Sequence, residues 1–568
     1  MGRSFILICL FVFPTAVMAQ LQVIMEPRNN RVRDNIEAFI GPVEASNRQD
    51  MWRQARHSVD QATKAAQALG FYHTRIRPDV TGPRDAPVLV LKVALGEPVL
   101  LDKVDIRVEG PGQGSDAFQL PSTSRLRQGA VLNHGHYESY KTLITNQALR
   151  YGYFGGRFEQ QELLVDVDNY QANITLVYQS GERFRLGDVA FSDTPFNENL
   201  LQRMVRFRTG VPYDADLLAE LNRDLLSSGY FESVQVSAPA NRAEDGLIPV
   251  SVEIRERDKH SLGFGGGFST DVGPRAKVNW TQHWINPQGH SRGADLEISA
   301  PRQQVSTWYQ IPLDPPQSHS LRFFTGFQDE DIDDVETRSL TVGAQLLRTL
   351  DSGWERVIGL RLEQERFSLG NESGRSTLLI PSLSLQRTVS DNSIDPAKGY
   401  SLMLDVQGAK EGIAADFDFI RVNASAKGLY TVLDNHRFLS RASVGAIGSE
   451  SFESLPPSLR FFAGGDQSVR GYDFRTLAPT DESGDRIGGR YLIATSLEYQ
   501  YEFIDKWRAA TFVDHGNAMN SFNDRRETSL GLGVRWVSPV GPIRVDLARS
   551  ITEPDEGFRI HFSMGPEL

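Results

Sequence analysis

The chain has 568 residues, a formal net charge of −12 and a single cysteine. That length allows several domains, since one takes about 100–200 residues. The acidic balance argues against a nucleic-acid partner, which calls for basic patches. It leaves a membrane open, because a spanning β-barrel is polar inside and hides from hydropathy averages.

The first residues, MGRSFILICLFVFPTAVMA, carry Arg3, an apolar run from Phe5 to Phe13, and Val17 and Ala19 where a signal peptidase reads. This is the pattern of a secretory signal peptide over 1–19, with Gln20 as the first mature residue. The apolar run is shorter than the roughly 20 residues of a spanning helix. Cys9 lies inside it, so the mature protein is expected to have no thiol, no disulfide and no cysteine-based metal site or nucleophile.

Up to about residue 260 one pattern recurs three times. A helix end is followed by glycine and two aromatics at Gly70-Phe71-Tyr72, Gly152-Tyr153-Phe154 and Gly229-Tyr230-Phe231. Each follows an amphipathic stretch, such as ESYKTLITNQALR (138–150) and DADLLAELNRDLLSS (214–228), the latter with Leu217, Leu218, Leu221 and Leu225 on one face. Glycine there is a helix stop, because it accepts left-handed dihedrals cheaply. Strand-like runs follow: PVLVLKVAL, ANITLVYQ and LIPVSVEIRE. A second echo, Gly96-Glu97 and Gly181-Glu182, opens the next unit each time. A period near 80 residues denotes small domains in line, each read as strand, helices, strand, strand.

From about Ser261 strict alternation takes over. In YLIATSLEYQYEF, Ile493, Thr495, Leu497, Tyr499, Tyr501 and Phe503 share one face, and Ala494, Ser496, Glu498, Gln500 and Glu502 the other. SLGLGVRWV sets Leu530, Leu532, Val534 and Trp536 against Gly531, Gly533 and Arg535. PIRVDLARS sets Ile543, Val545 and Leu547 against Arg544, Asp546 and Ala548, and the last strand sets Phe558, Ile560, Phe562 and Met564 against Arg559, His561 and Ser563. About sixteen such runs of some ten residues are the mark of an outer-membrane barrel. In lipid only helices and closed barrels satisfy their own backbone groups.

Within this region Gly448 to Gly489 is too long for a hairpin loop and holds FFAGGDQSVRGYDFR. Such loops are functional or disordered. Here the residues carry a resemblance. The chain resembles the BamA-like superfamily of outer-membrane assembly and secretion proteins, in which periplasmic POTRA domains precede a sixteen-stranded barrel. The resemblance rests on FSTDVGPRAK (268–277), RFFAGGDQSVRGY (460–472), SLEYQYE (496–502), FVDHGNA (512–518), VRWVSPVGPI (534–543) and the terminal GPEL. Three front units and that ending are most similar to its TamA (translocation and assembly module) branch. The implied boundaries are 20–97, 98–181 and 182–258 for three β-α-α-β-β POTRA domains and 259–568 for the barrel.

The resemblance implies that the long loop folds into the lumen, bringing Val469, Arg470, Gly471 and Tyr472 to the inner wall. There Arg470 would meet Asp514 and Glu498, with Phe512, Gly516, Gly464 and Gly465 in support. The attraction could approach ~4 kcal/mol at an effective dielectric near 20, before desolvation. Gly471 would let the backbone pass close to the wall.

The first barrel strand, SLGFGGGFST, carries Gly263, Gly265, Gly266 and Gly267 and must meet the last, with Gly557, Ile560 and Phe562. Interior glycine weakens a strand by roughly 0.5–1 kcal/mol each. This joint is where a client strand would pair with an exposed edge. The resemblance implies insertion or secretion of outer-membrane proteins such as autotransporters through that seam, without ATP. It also implies a TamB-like periplasm-spanning partner docking on the first unit.

No catalytic constellation, cofactor pattern or metal set is expected. The stretch from Gly263 to Phe268 fails the dinucleotide fingerprint, and His134 and His136 lack a third ligand in sequence. The acidic run 329–336 reads as a solvated loop. The rival readings are a two-partner secretion pore for one exoprotein and a passive porin.

Overall fold

The computed structural model describes residues 20–565 apart from 44, 46, 85, 120–124, 334, 370–371, 540 and 554–556. The signal-peptide reading of 1–19, Cys9 with it, and most of the terminal GPEL lie outside the described residues. The chain parts into two compact units. One ends at Val189 and adds Phe207–Ala219 and Ser237–Val250, the other holds Ala190–Arg206, Glu220–Val236 and Ser251–Leu568.

The first repeat runs β1 (Gln20–Glu26), α1 (Asn30–Ile40), α2 (Arg48–Ala68), β2 (Arg75–Thr81) and β3 (Val88–Ala94). Asn29 and Asn47 cap the two helices, their side chains accepting from Val32 N–H and from Gln49 and Asp50 N–H. The small face of α2, Ala55, Ala62, Ala65 and Ala66, lets it pack closely with Val32 and Ile36 of α1 and with Leu89 and Leu91 of β3. The strand order is β1-β3-β2, with β3 parallel to β1 and antiparallel to β2.

The second repeat has β4 (Leu100–Glu109), α3 (His134–Arg150), β5 (Arg157–Asp166) and β6 (Gln171–Gln179) in the order β4-β6-β5. Here the reading of paired helices needs correction. Among the described residues only a 3₁₀ turn, Asp116–Phe118, stands where the first helix was expected. Gly110, Pro111, Gly112 and Gly114 cluster just before it, and glycine and proline are the poorest helix formers. The third repeat has β7 (Arg185–Phe191), α4 (Glu198–Gln202), α5 (Ala215–Ser227), β8 (Phe231–Ser237) and β9 (Leu247–Glu256), ordered β7-β9-β8. The stop glycines Gly70, Gly152 and Gly229 take φ of 92°, 82° and 79°, the left-handed turn that ends each helix.

Sixteen strands then follow in chain order in one antiparallel sheet, from β10 (His260–Ser269) to β25 (Phe558–Met564), rolled into a nearly closed barrel. The alternation has its physical cause in this curvature. Leu497, Phe503, Leu530, Leu532, Val545, Leu547 and Ile560 stand exposed on the outside, while Ser496, Glu498, Gln500 and Asp546 are buried within. An apolar exterior with a polar interior fits a barrel solvated by lipid. The strands are uneven: β17 (Glu372–Ser390) has 19 residues and β25 only 7.

The acidic run also departs from expectation. Its first residues extend β14 (His319–Ile332), and Val335 and Glu336 open β15 (Val335–Thr349). Glu330 is buried and takes Arg302 Nη2 at 2.6 Å and Arg475 Nη1 at 3.5 Å, while Asp329 takes Arg338 Nε at 3.0 Å. For Glu330 these arginines, remote in sequence, claim a carboxylate that would otherwise be solvated, while Asp329 pairs across the strand with its register neighbour on the outer face. Asp334 lies outside the described residues.

Between β17 and β18 (Lys398–Ala409) the turn carries Asp395, which accepts from Arg437 Nη1 at 2.6 Å and from both Arg508 Nη atoms at 2.7 Å. Burial raises this carboxyl's pKa, but the bonds from Arg508 and Arg437 outweigh it and hold the group below its usual 3.8. A depressed pKa contributes stability that is present above the unfolded value and lost as pH falls through the folded one. Barrel melting followed by circular dichroism is therefore expected to weaken below about pH 4. Asp395→Asn should melt a few degrees lower at neutral pH and respond less to that acidification.

Candidate functional site

The loop of residues 449–490, between β20 (His436–Gly448) and β21 (Tyr491–Ile504), lies inside the barrel. Its Phe452, Leu455, Leu459, Phe461, Val469, Tyr472 and Leu477 form one apolar cluster with Leu378 and Ile380 of β17, Ile447 of β20 and Ala494 of β21. Val469 is fully buried there. This packing carries the loop to a fixed depth, where its polar groups meet the wall.

Arg470, 3% exposed, is the hub. Its Nε donates to Asp514 Oδ2 at 2.7 Å and its Nη2 to Asp514 Oδ1 at 2.9 Å, a two-pronged grip from β22 (Trp507–Met519). The Arg470 backbone N–H adds a third bond to Asp514, at 3.1 Å. Nη1 donates to Glu498 Oε2 of β21 at 2.7 Å and to Asp546 Oδ2 of β24 (Gly541–Ser550) at 3.1 Å. Across from it Arg535 of β23 (Glu527–Ser538) bonds Glu498 Oε1 at 2.9 Å and Asp546 Oδ1 at 2.6 Å. Arg470, Glu498, Arg535 and Asp546 thus close a ring of alternating charge, with Asp514 attached to Arg470.

Burial alone would lower the pKa of the Arg470 guanidinium, but the Asp514 hydrogen bonds and the neighbouring carboxylates outweigh it and hold the net shift upward. Desolvating each ion costs several kcal/mol, so such a network adds little net stability but is costly to break. It fixes where the loop sits more than how tightly it is held.

Phe512 supports the hub from below. The guanidinium carbon lies 3.3 Å from the centre of its ring, and the ring rests on Gly531, where a Cβ would come within 2.1 Å of it. Gly471 takes φ of 93° and donates its N–H to His561 Nε2 at 2.8 Å. A side chain there would press on Ser529 and on the Arg549 backbone. The Tyr472 hydroxyl reaches Glu527 Oε2 at 3.0 Å and Thr552 Oγ1 at 3.0 Å. Of the supporting glycines, Gly516 abuts the Ile493 carbonyl, Gly464 the Asp473 carbonyl and Gly465 the Asp271 carboxylate.

The seam residues meet at the barrel's joint. Gly263, Gly265 and Gly267 alternate with the exposed Leu262, Phe264 and Phe268 of β10, so their bare face lines the lumen beside Asn279, Lys277 and Arg275. Gly266 shares the outward face, Gly557 precedes β25 with φ of 76°, and Ile560 faces outward. Phe562 meets Phe268 edge-on at 5.5 Å between ring centres. No ladder register joins β10 to β25 among the described residues. Among the same residues Thr270, just past β10, donates its N–H to Phe562 O at 3.1 Å, with Phe562 N–H returning to Thr270 Oγ1 at 3.2 Å.

Comparison with known proteins bears directly on this geometry. Residues 275–567, just over half the chain, match the Omp85 superfamily domain. The chain belongs to the Omp85 superfamily. Residues 23–95 match the POTRA domain described as TamA domain 1, and 184–257 match a POTRA domain described as a surface antigen variable number repeat. As an Omp85 protein it is an outer-membrane β-barrel with periplasmic POTRA domains.

It is 25% identical over 391 residues to the outer membrane protein assembly factor BamA of Nitratidesulfovibrio vulgaris, covering 65% of this chain and 49% of that one. To BamA of Neorickettsia risticii it is 23% identical over 505 residues, covering 83% and 66%. The chain thus spans about half to two thirds of the length of these relatives. The crystal structure of BamA from Haemophilus ducreyi lacking POTRA domains 1-3 shares the fold, with a TM-score of 0.68 at 17% identity over 82% of this chain and 99% of that one.

Arg535, Asp546, Ser496 and His561 were not anticipated as site residues. Alternation had put all four on the polar face. Which strands would bring them to Arg470 depends on inter-strand register, which pattern alone does not give.

Proposed function

We propose that this Omp85 protein is a non-enzymatic assembly factor that inserts or secretes unfolded outer-membrane proteins, autotransporters among them, through the β10–β25 seam without ATP. The observation that carries this reading is the joint itself. Among the described residues the two strands that must close the barrel have no ladder register and are linked by a backbone hydrogen bond at Thr270, just past β10, whereas β10 and β11 (Gly273–Gln282) are paired along their whole length. An unpaired edge in lipid is costly, and a client strand that pairs with it relieves that cost.

The TamA branch is favoured within the superfamily by the match of 23–95 to TamA domain 1 and by the three front sheets. On this reading a TamB-like partner docks on the first POTRA domain. A passive porin is disfavoured because the loop 449–490 fills the lumen with packed side chains.

Reconstituted into proteoliposomes, the chain is expected to speed insertion of a urea-unfolded barrel client at least about tenfold over empty liposomes, since only the protein supplies a pairing edge. Equal rates would overturn the assembly reading. Large steady conductance would return the porin.

A further inference from the structure

A second cluster sits at the outer end of the joint, apart from the Arg470 ring. Asp271 lies in the turn between β10 and β11, Asp466 in the loop and His561 on β25, and one ligating-type atom of each lies within 4.8 Å of the others. Asp466 Oδ1 accepts from Thr270 Oγ1 at 2.8 Å and from His561 Nδ1 at 2.8 Å. Asp271 Oδ2 accepts the Asp466 N–H at 2.9 Å. Asp466 is 6% exposed, and its Oδ2 has no hydrogen-bond partner among the described residues. Among the same residues neither carboxylate pairs with a lysine or arginine, and His561 is the one basic side chain in contact.

Two facing carboxylates without a guanidinium need a cation between them, a metal ion or a proton. The imidazole decides which. Gly471 N–H donates to His561 Nε2, so that nitrogen carries a lone pair and the ring proton is on Nδ1, facing Asp466. A metal bound at Nδ1 would move the ring proton to Nε2, against the Gly471 N–H. Ligating histidines do the opposite and donate their other N–H to an acceptor. The imidazole is thus set to donate to Asp466 and to accept from Gly471 rather than to ligate a metal, which leaves the carboxyl pair itself to hold the compensating charge.

We propose that Asp271 and Asp466 share one proton and form a latch tying the loop and the β10 turn to β25, so that losing the proton frees the outer end of the joint. With the proton in place, one carboxyl is neutral and the pair is attractive. Without it, two charges repel in a site that holds Thr270, the residue carrying the backbone link to Phe562. Burial, with the Asp466 charge second, raises the Asp271 carboxyl from 3.8 to about 7.

Other charged groups nearby are engaged elsewhere or aimed away. Arg441 of β20 reaches the Asp466 main-chain oxygen at 3.5 Å and Ser496 Oγ at 3.2 Å. Arg559 of β25 pairs with Asp473 of the loop, and Arg275 of β11 lies along Gly267. A pKa raised in the latched state means that latching is fully supported below the ordinary carboxylate value. That support is lost as pH rises through about 7.

The inference rests on the joint being able to open, which the assembly reading also requires, so the test reads strand separation and not insertion. Spin labels on Phe264→Cys of β10 and Ile560→Cys of β25, both facing lipid, report the distance across the joint in the full chain in nanodiscs. The separated population is expected to grow about threefold or more between about pH 5 and about pH 8. Asp271→Asn, neutral at every pH, should stay joined throughout. Asp466→Asn should also lose the pH response.

Distances unchanged over that range in the otherwise unsubstituted chain would overturn the latch, as would Asp271→Asn titrating like the parent. A pH response abolished by EDTA would overturn it too and assign the carboxylates to a metal. Labels that separate on adding an unfolded barrel client but not with pH would sink the latch and leave the assembly reading standing. Labels that separate under neither condition would sink both.

Discussion

The Arg470→Ala protein is expected to lose most of its client insertion and about 3–5 kcal/mol of stability, the usual cost of removing one partner from a buried ion network. Asp514 would keep no cationic partner among the described residues, and Glu498 and Asp546 would be left to Arg535 alone. The loop would lose its side-chain grip on three strands at once. Thermal melting and the heat-dependent gel shift of the barrel measure the stability term, and proteoliposome insertion the other. Arg470→Lys should rescue little, because an ammonium cannot grip Asp514 with two prongs while reaching Glu498 and Asp546. Undiminished insertion by Arg470→Ala would instead favour a barrel that serves only to anchor its POTRA domains.

A disulfide across the joint is expected to have the other large effect. Phe268 and Phe562 face each other at 5.5 Å, so Phe268→Cys with Phe562→Cys places two thiols on adjoining strands in a mature chain expected to have none. Oxidised, this protein should insert clients at least about tenfold more slowly, and reductant should restore the rate, because an edge locked to its neighbour cannot accept a client strand. If the locked protein works at the full rate, clients enter elsewhere. The two results are separable: the arginine variant alters what the lumen holds, and the disulfide only whether the wall can part.

Much of this architecture was readable from residue order because the lipid imposes a two-residue period. The faces of β21, β23 and β24 followed from alternation alone, and the stop glycines from their place after amphipathic stretches. The pairing of Arg470 with Asp514 and Glu498 came from family likeness, since residues 44 and 28 positions apart carry no local mark of contact. Arg535 and Asp546 were placed on the correct face but not at the hub.

Two features lay beyond pattern. Among the described residues the second repeat kept its strands but not both helices, because Gly110 to Gly114 defeats helix nucleation where the repeat would place it. The Asp271, Asp466 and His561 cluster joins residues 195 and 95 positions apart, and nothing local marks any of them. Glu330 is similar, an acid in an acidic run whose partners Arg302 and Arg475 lie in a strand and in the long loop.

The placement of the loop bears on how the protein itself is made. Asp514, Arg535, Asp546 and His561, four of the groups that bind the Arg470 ring and Gly471, all follow the loop in the chain and come from consecutive strands. The seat of the loop is therefore complete only once the last strand is in place, because Gly471 N–H finds its acceptor on His561 of β25.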